Sequence, residues 1–360
     1  MKKRLVWIRT APPDLPGSMA AFGDLVRQAV EPLADDWERS TCDLFDPRGG
    51  ASMWRHHLWR LRHARRVLAA QPADLCHWLD GSMAAFIPHA LRARSVVTVH
   101  DLIPLLQLRG ELPGRPSAPA AWLIRRGIRA LRGCAGLCAD SAATRADLAR
   151  LAGIAERVAV VPVPVRLLPP PQPVAVAGLP PGARYVLHVG NNAGYKNRLG
   201  VLAVFSRLRD LADLHLVLAG PPPTRALRAA AARLKRVHFA GPVDDAQLNG
   251  LYRGAAVFLF PSLYEGYGMP VLEAMAAECP VVCSTAPALV EVAGAAALCA
   301  PASDPEALAA QCRMALSDAD LRGKLVAAGR ARAGGFDVAS LGRSLLKCYE
   351  QALERKEPHG

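Results

Sequence analysis

The sequence predicts an α/β protein built of two doubly wound domains joined by a proline-rich connection. Apolar runs rich in β-branched residues alternate with segments of helical pattern along most of the 360-residue chain. Runs such as AVFLFP, residues 256–261, are continuously apolar, which is typical of a parallel sheet covered on both faces. The chain is also long enough for two hydrophobic cores of ordinary size.

The strand-like runs fall into two series. The first is RLVWIRT, CDLFDP, DLCHWLD, SVVTVHD, GLCADS and VAVVPVPV, and the second is RYVLHVG, HLVLAG, VHFAGP, AVFLFP, PVVCS and AALCAP. Repeated prolines between the series forbid helix and remove sheet donors. We therefore predict an N-terminal domain over 1–165, a linker over 166–182, a C-terminal domain over 183–335, and a helix within 336–360 that docks back on either domain.

Composition limits the class of protein. The nine cysteines show no CxxC pair or metal-ligand spacing, which favours reduced thiols and a cytoplasmic location. We expect no membrane-spanning helix, because no apolar stretch is long enough, and no secretory signal at the N-terminus. The formal charge of +13 is compatible with nucleic acid, an anionic membrane face or a phosphorylated substrate, and charge alone does not choose among them.

The most informative stretch is AVFLFPSLYEGYGMPVLEAMAAECPVVCS, residues 256–284, which is predicted to form a strand, a glycine loop, a helix and a strand. Pro270 suits the first helical turn, because its missing N–H would lack a partner there in any case. The amides of Gly268 and Met269 then face outward at a helix N-terminus, where a phosphate binds favourably. Gly266 and Gly268 let the backbone approach a ligand closely.

Two carboxylates bracket this loop, Glu265 at the strand end and Glu273 in the first helical turn, where they can hold sugar and ribose hydroxyls. The alternative is a solvated loop residue and a partner for the helix dipole. The whole stretch resembles the donor-site signature of the retaining glycosyltransferases of family 4, whose GT-B fold has two doubly wound Rossmann-like domains facing a central cleft. The resemblance implies that Glu265 acts in catalysis and that Gly266, Tyr267, Gly268, Met269 and Glu273 bind the donor.

A second segment, HVGNNAGYKNRLGVLAVFSRL, is similar to the family's segment after the first strand of the C-terminal domain. The similarity assigns Lys196 to catalysis and to neutralising the donor diphosphate, a role in which a fixed cation replaces a metal. The similarity places Asn191 among the donor-binding residues, although many members carry Arg or Thr at that position, and Arg where this chain has Tyr195. Arg198 or Asn192 is the substitute for the missing phosphate contact.

Further donor contacts follow from the same resemblance. Val243 corresponds to the backbone contact with the base, and Gly220 forms a turn at a strand end. In the N-terminal half, His100 is the candidate catalytic group beside the transferred sugar; its alternative is a histidine satisfied locally. The family's glycine-rich first loop is replaced by APPDLPGSMAAFG, in which Gly17 is the candidate donor contact.

The function implied is retaining transfer of a hexose, with mannose from GDP-mannose favoured, to a glycan or lipid-linked acceptor in envelope polysaccharide or glycolipid assembly. No cofactor or metal is expected, since the nucleotide-sugar is a substrate and the DxD pattern at Asp318 and Asp320 is predicted to cap a helix. The alternatives are a GT-B nucleotide-sugar epimerase and a non-catalytic protein that binds nucleotide-sugar or nucleic acid. No nucleic-acid partner is expected, because the arginines are not interleaved with stacking aromatic residues.

Arginine-rich amphipathic segments suggest one more partner. WRHHLWRLRHARRVL, residues 54–68, and WLIRRGIRALRG, residues 122–133, place Trp, Leu and Ile among arginines at helical spacing. Such helices suit an anionic membrane surface, which would make the protein peripheral on the inner face of the membrane. The alternative, equally open, is a helix that buries one apolar stripe in its own domain and solvates its arginines.

Overall fold

The computed structural model describes residues 2–11, 18–46 and 53–355. They separate into two compact units. Unit 1 holds the described residues up to Leu108, Pro116–Pro164 and the described residues from Asp337 onward, and unit 2 holds Arg109–Arg115 and Val165–Phe336.

Unit 1 is a parallel sheet with helices between its strands. Among the described residues its six strands lie in the order β2-β1-β3-β4-β5-β6. The strands are β1 Lys3–Arg9, β2 Trp37–Asp43, β3 Leu75–Trp78, β4 Ser95–Val99, β5 Gly136–Ala139 and β6 Val158–Val160. The helices are α1 Ser18–Val30, α2 Met53–Ala69, α3 Ile103–Arg109, α4 Ala118–Leu131 and α5 Ala142–Ala152, with 3-10 turns at Glu31–Leu33, Gly81–Phe86 and His89–Arg94.

Two strands of unit 1 differ from the sequence prediction. The second strand was expected at CDLFDP, yet β2 is Trp37–Asp43 and ends before Leu44. It is an edge strand that buries only Trp37 and Cys42, so it shows no continuous apolar run. The last strand, β6, covers only three residues of VAVVPVPV, because the prolines that follow lack the N–H that a ladder needs.

Unit 2 repeats the architecture. Its six described strands lie in the order β12-β11-β10-β7-β8-β9, all parallel. The strands are β7 Arg184–Val189, β8 Leu214–Ala219, β9 Val237–Gly241, β10 Val257–Phe260, β11 Val281–Ser284 and β12 Leu298–Ala300. The helices are α6 Arg198–Ser206, α7 Arg225–Ala231, α8 Asp245–Gly254, α9 Met269–Ala276, α10 Pro287–Ala293, α11 Pro305–Ser317 and α12 Ala319–Gly334, with 3-10 turns at Gly194–Lys196 and Gly294–Ala296.

The last helix, α13 Val338–Glu354, returns to unit 1, which decides between the two docking sites that the sequence left open. The buried Tyr349 hydroxyl lies 2.8 Å from Nδ1 of His77 and accepts a hydrogen bond from Trp7 Nε1 at 3.4 Å. Gly342 packs against the Ala29 carbonyl, so a side chain there would clash. α13 is therefore part of the unit 1 core.

The proline-rich segment packs on unit 2. The Gln172 amide donates to the Ala246 carbonyl at 3.0 Å, and Asn249 Nδ2 donates to the Pro169 carbonyl at 2.6 Å. Both partners belong to α8, so the segment runs along that helix. In the described part of the chain, no helix has both the length and the apolar character to cross a membrane.

Candidate active site

In the unit 2 sheet, successive strands are added on one side of β7 up to β9 and on its other side from β10 onward. β7 lies between β10 and β8, and ligands of doubly wound sheets bind at the carboxyl ends of the strands at such a switch point. The loops that leave β7 and β10 are fastened together there. The Leu263 amide donates to the Tyr195 carbonyl at 2.7 Å, and Asn197 Nδ2 donates to the Pro261 carbonyl at 3.0 Å.

These loops bring Lys196 and Glu265 together. The ammonium of Lys196 donates to both carboxylate oxygens of Glu265, at 2.8 and 2.9 Å. Both side chains are largely buried, with 13% and 9% exposed, and the ammonium also lies 5.1 Å from the centre of the Phe260 ring. The pair places a cation, balanced by a carboxylate, at the carboxyl end of the central strands.

Arg198, the first residue of α6, follows Lys196 by two positions, and only 5% of it is exposed. Its Nη1 donates to Asn192 Oδ1 at 2.6 Å and to the Pro221 carbonyl at 3.3 Å. Its Nε and Nη2 have no hydrogen-bond acceptor among the described residues, and burial lowers the pKa of the guanidinium. Buried donors without acceptors are rare in folded proteins, so these two favour an anionic ligand.

Two further buried polar groups belong to the end of β7 and to the loop after β10. His188, at the end of β7, donates from Nδ1 to the Leu259 carbonyl at 3.0 Å, while Nε2 has no partner among the described residues. Burial lowers the pKa of His188 to about 3, so the ring is neutral and Nε2 is an acceptor. Ser262 Oγ is also without a described partner. A Cβ on Gly190 would lie 3.0 Å from His188 Nε2, so the glycine leaves space beside that nitrogen.

Glycines allow the loops to approach one another. Gly220, after β8, has φ +131° and packs against the Gly190 carbonyl, where a side chain would clash. Gly268, before α9, has φ +122°, and a Cβ there would lie 2.8 Å from Leu289 Cδ2. α9 begins at Met269 with Pro270 next. The Val271 amide donates to the Gly268 carbonyl at 2.9 Å, whereas the Met269 amide has no acceptor within the helix.

Glu273 lies in the second turn of α9, not in the first as predicted, because the helix begins at Met269. It is 4% exposed and accepts hydrogen bonds from Arg166 Nε at 2.9 Å and from the Tyr252 hydroxyl at 3.2 Å. Burial raises the pKa of Glu273, and Arg166 acts in the opposite direction. Arg166 also donates to Asp245 at 2.9 Å. Glu273 is therefore held by the proline-rich segment and α8.

The other predicted donor residues are placed as follows. Asn191 is exposed, and its Oδ1 accepts from the Ala193 amide at 2.9 Å. Val243 is half-buried between β9 and α8. Gly266 and Tyr267 are buried, and the Tyr267 ring packs edge-on against Phe336 at 6.2 Å. Gly17 lies outside the described residues.

In unit 1, His100 follows β4 and uses both ring nitrogens. Nδ1 donates to Asp140 Oδ2 at 2.7 Å, and Nε2 donates to the Leu79 carbonyl at 2.9 Å, so the ring carries both protons. Burial alone would lower the pKa of His100, but the Asp140 carboxylate raises it to about 9. The expectation that His100 hydrogen-bonds a sugar hydroxyl does not fit this arrangement, because neither nitrogen is available.

Sequence reasoning did not single out His188, Ser262, Arg166 or Tyr252. The available signals were the position of His188 at the end of a predicted strand and that of Arg166 as a lone arginine in the proline-rich run. Within the described ranges, no three or more His, Cys, Asp or Glu residues are grouped so as to hold a metal ion. Asp318 caps α12 by accepting from the Leu321 amide at 2.9 Å.

Two doubly wound parallel units of this kind make the GT-B architecture, and solved structures of that class share it. Sucrose-phosphate synthase from Thermosynechococcus elongatus aligns with TM-score 0.73 at 21% identity, over 97% of this chain and 99% of that one. WaaG, a glycosyltransferase involved in lipopolysaccharide biosynthesis, aligns with TM-score 0.69 at 17% identity, over 95% and 98%.

The sequence matches two family models, one in each half. Residues 31–167 match Glycosyltransferase Family 4, and residues 183–318 match Glycosyl transferases group 1. The chain belongs to this glycosyltransferase family, which confirms the resemblance found in the sequence.

Curated relatives match over part of the chain. O-antigen chain mannosyltransferase B of Escherichia coli is 32% identical over 173 residues, which are 46% of this chain and 45% of the relative. Phosphatidyl-myo-inositol mannosyltransferase of Mycobacterium leprae is 31% identical over 181 residues, 49% and 48% of the two chains. The match thus spans about half the length of these relatives.

Proposed function

We propose that this chain is a retaining, metal-independent glycosyltransferase that moves a hexose from a nucleotide-sugar to a glycan or lipid-linked acceptor. The observations that carry the proposal are the Lys196–Glu265 pair at the switch point of unit 2 and the two buried Arg198 donors that lack an acceptor among the described residues. Family membership supports the reaction class.

In the proposed mechanism, positive groups stabilise the departing diphosphate. Lys196, Arg198 and the amides at Gly268 and Met269 supply that stabilisation in place of a metal. The bond from the anomeric carbon to the diphosphate breaks, and a bond to the acceptor oxygen forms on the same face. The leaving phosphate takes the acceptor's proton. Glu265 keeps Lys196 oriented before the donor arrives.

We propose mannose as the sugar and GDP-mannose as the donor. The support is that the relatives at 31–32% identity are named mannosyltransferases. Their names also support a setting in envelope polysaccharide or glycolipid assembly. Because the match spans about half of each relative, these substrates belong to the proposal rather than to the family assignment.

We also propose a cytoplasmic protein that lies on an anionic membrane face through α2. Trp54, Leu58 and Leu61, at positions i, i+4 and i+7, are 52%, 51% and 47% exposed on one face of this helix. Arg55, Arg62, Arg65 and Arg66 are exposed beside them, and no acidic residue occurs between Asp46 and Asp74. An exposed apolar stripe flanked by cations suits a helix lying in a membrane interface.

A transfer assay tests the reaction class. Purified protein is incubated with GDP-mannose and with UDP-glucose, with and without a panel of sugar and lipid-linked acceptors. Products are identified by mass, and their anomeric configuration is read from the one-bond C1–H1 coupling in NMR spectra. Transfer with retained configuration, insensitive to EDTA, is expected. Isomerised nucleotide-sugar without acceptor would instead indicate an epimerase, and no product with any donor would favour a non-catalytic binding protein.

Variants assign the activity to the site. Lys196→Met is expected to abolish transfer, while Lys324→Ala, which removes an exposed lysine of α12, keeps it. Equal turnover of Lys196→Met and the wild-type chain would remove Lys196 from the mechanism.

A further inference from the structure

A cavity of about 320 Å³ opens in unit 1 at the carboxyl ends of β3 and β4. Ligand pockets in proteins span roughly 300–1,000 Å³, so its size suits one small ligand or part of a larger one. The cavity has two chemically different ends. An apolar wall comes from α4 and α3, and polar side chains follow the two strands.

The apolar wall is mainly one face of α4. Leu123, Ile124, Ile128 and Leu131 line it, and the first three are only half-buried. The helix is fixed on its other side, where Arg126 Nε donates to the Ala85 carbonyl at 2.7 Å. The apolar face of α4 therefore faces this cavity, and the helix differs from α2, whose apolar stripe is exposed.

The polar end accepts hydrogen bonds and does not suit an anion. Asp80 accepts from the Ser82 amide and Asp101 from the Ile103 amide, each with Oδ1 at 2.8 Å, which leaves a second oxygen on each carboxylate. His100, which also lines the cavity, has both nitrogens committed to Asp140 and Leu79. Two carboxylates repel a phosphate but accept hydrogen bonds from sugar hydroxyls.

We infer that this cavity binds a glycoside with an apolar aglycone, its hydroxyls at Asp80 and Asp101 and its chain along α4. The inference deepens the proposed function and rests on it for its biological meaning: the acceptor is an amphiphilic glycoside rather than a free sugar. A free hexose would leave the apolar wall without a partner. A phosphate-headed lipid would place its anion against the two carboxylates.

Calorimetric titration with methyl, butyl, hexyl and octyl β-glucosides, below their micelle-forming concentrations, tests the inference without a donor. Each methylene buried on the α4 wall is expected to tighten binding by about fourfold until the cavity is filled. The matching alkyl alcohols, which lack the sugar, are expected to bind more weakly than the glycosides. Affinity that does not depend on chain length, or alcohols that bind as tightly as glycosides, would overturn the assignment.

Variants locate the binding. Ile124→Asp puts a carboxylate on the apolar wall and is expected to remove the chain-length dependence, and Ile128→Thr, a milder change, to reduce it. Asp101→Asn is expected to weaken glycosides but not alcohols. Arg129→Ala, on the exposed face of α4, serves as the matched control and keeps wild-type affinities. Wild-type affinity in both Ile124→Asp and Ile128→Thr, once thermal melts show folded protein, would place the ligand elsewhere.

The two proposals fail separately. Chain-length-dependent binding with no transfer from any nucleotide-sugar would leave the cavity assignment standing and remove the transferase. Transfer to soluble sugars, combined with no binding of alkyl glycosides, would support the transferase and overturn the cavity assignment.

Discussion

The ammonium of Lys196 bridges both carboxylate oxygens of Glu265, at 2.8 and 2.9 Å, across 69 residues of sequence. The contact ties the loop after β7 to the loop after β10 at the switch point of unit 2. Because both groups are largely buried, each keeps the other from being an unpaired charge. The pair therefore has a structural role in addition to the proposed role in donor binding.

We predict that breaking this pair from one side destabilises the protein. Lys196→Met leaves a buried carboxylate without its cation, and such a loss costs roughly 3–5 kcal/mol in the free energy of unfolding. The double variant Lys196→Met with Glu265→Leu removes both charges and is expected to regain most of that stability while still failing to bind donor. Urea unfolding monitored by fluorescence measures both, and a single variant as stable as wild type would contradict the prediction.

Arg166 is predicted to control the charge of Glu273. Burial raises the pKa of Glu273 and Arg166 opposes the rise, so Arg166→Ala should raise that pKa further. A carboxyl group loses its charge as the pH falls below its pKa. Glu273 should therefore become neutral at a higher pH in Arg166→Ala than in the wild-type chain. We expect the Glu273 carboxylate to bind donor in its charged form. As the pH falls, donor binding by Arg166→Ala should therefore weaken at a higher pH than donor binding by the wild-type chain.

A conservative variant separates charge from packing at this position. Arg166→Lys keeps a cation beside Glu273 and should restore much of the wild-type pH profile, measured by nucleotide titration between pH 5 and 8. Identical profiles for Arg166→Ala and wild type would mean that Arg166 does not set the Glu273 charge.

His100 predicts a pH dependence of stability. Asp140 raises the pKa of His100 from 6.5 to about 9, so the folded state holds a proton that the unfolded chain has lost near neutral pH. The resulting stabilisation is complete below pH 6.5 and is lost as the pH rises toward 9. The melting temperature should fall over this interval, and the fall should be smaller in Asp140→Asn, which removes the carboxylate charge. A parallel fall in both proteins would assign the effect to other groups.

Membrane binding is predicted to depend on α2. Trp54→Ser, Leu58→Ser and Leu61→Ser together should abolish flotation with vesicles containing phosphatidylglycerol. Replacing Arg62, Arg65 and Arg66 with Gln should weaken binding roughly a hundredfold, at about 1 kcal/mol for each cation near an anionic surface.

Two controls define the membrane contact. Neutral phosphatidylcholine vesicles test the requirement for anionic lipid, and Trp122→Ser on α4 tests the requirement for α2, since Trp122 is exposed to a similar extent, 51%. Unchanged flotation of the triple serine variant, or an equal loss with Trp122→Ser, would contradict the assignment to α2.

The sequence predicted most of the fold because buried parallel strands carry a signal of their own. Continuous apolar runs such as that of β10 marked the strands, whereas β2 was displaced because an edge strand with polar residues has no such run. Lys196 and Glu265 were found through the family-like segments around them.

Pairings between distant residues were not predictable from the sequence. Arg166 meets Glu273 across 107 residues, and the charge of His100 depends on Asp140, 40 residues away. The Arg198 and His188 nitrogens that lack a partner among the described residues are buried only when the loops fold against each other. Local sequence carries no record of these contacts, because tertiary packing creates them.

Titration calorimetry with GDP and GDP-mannose, alongside UDP, ADP and dTDP, tests the central claim most directly, since it asks whether unit 2 binds a nucleotide at all. We predict saturable binding of one nucleotide family, guanine nucleotides, weakened at least about tenfold in Lys196→Met because a charge-assisted contact to phosphate is lost, and unchanged in Lys324→Ala. Absence of binding by every nucleotide, or equal affinity in Lys196→Met, would contradict the account.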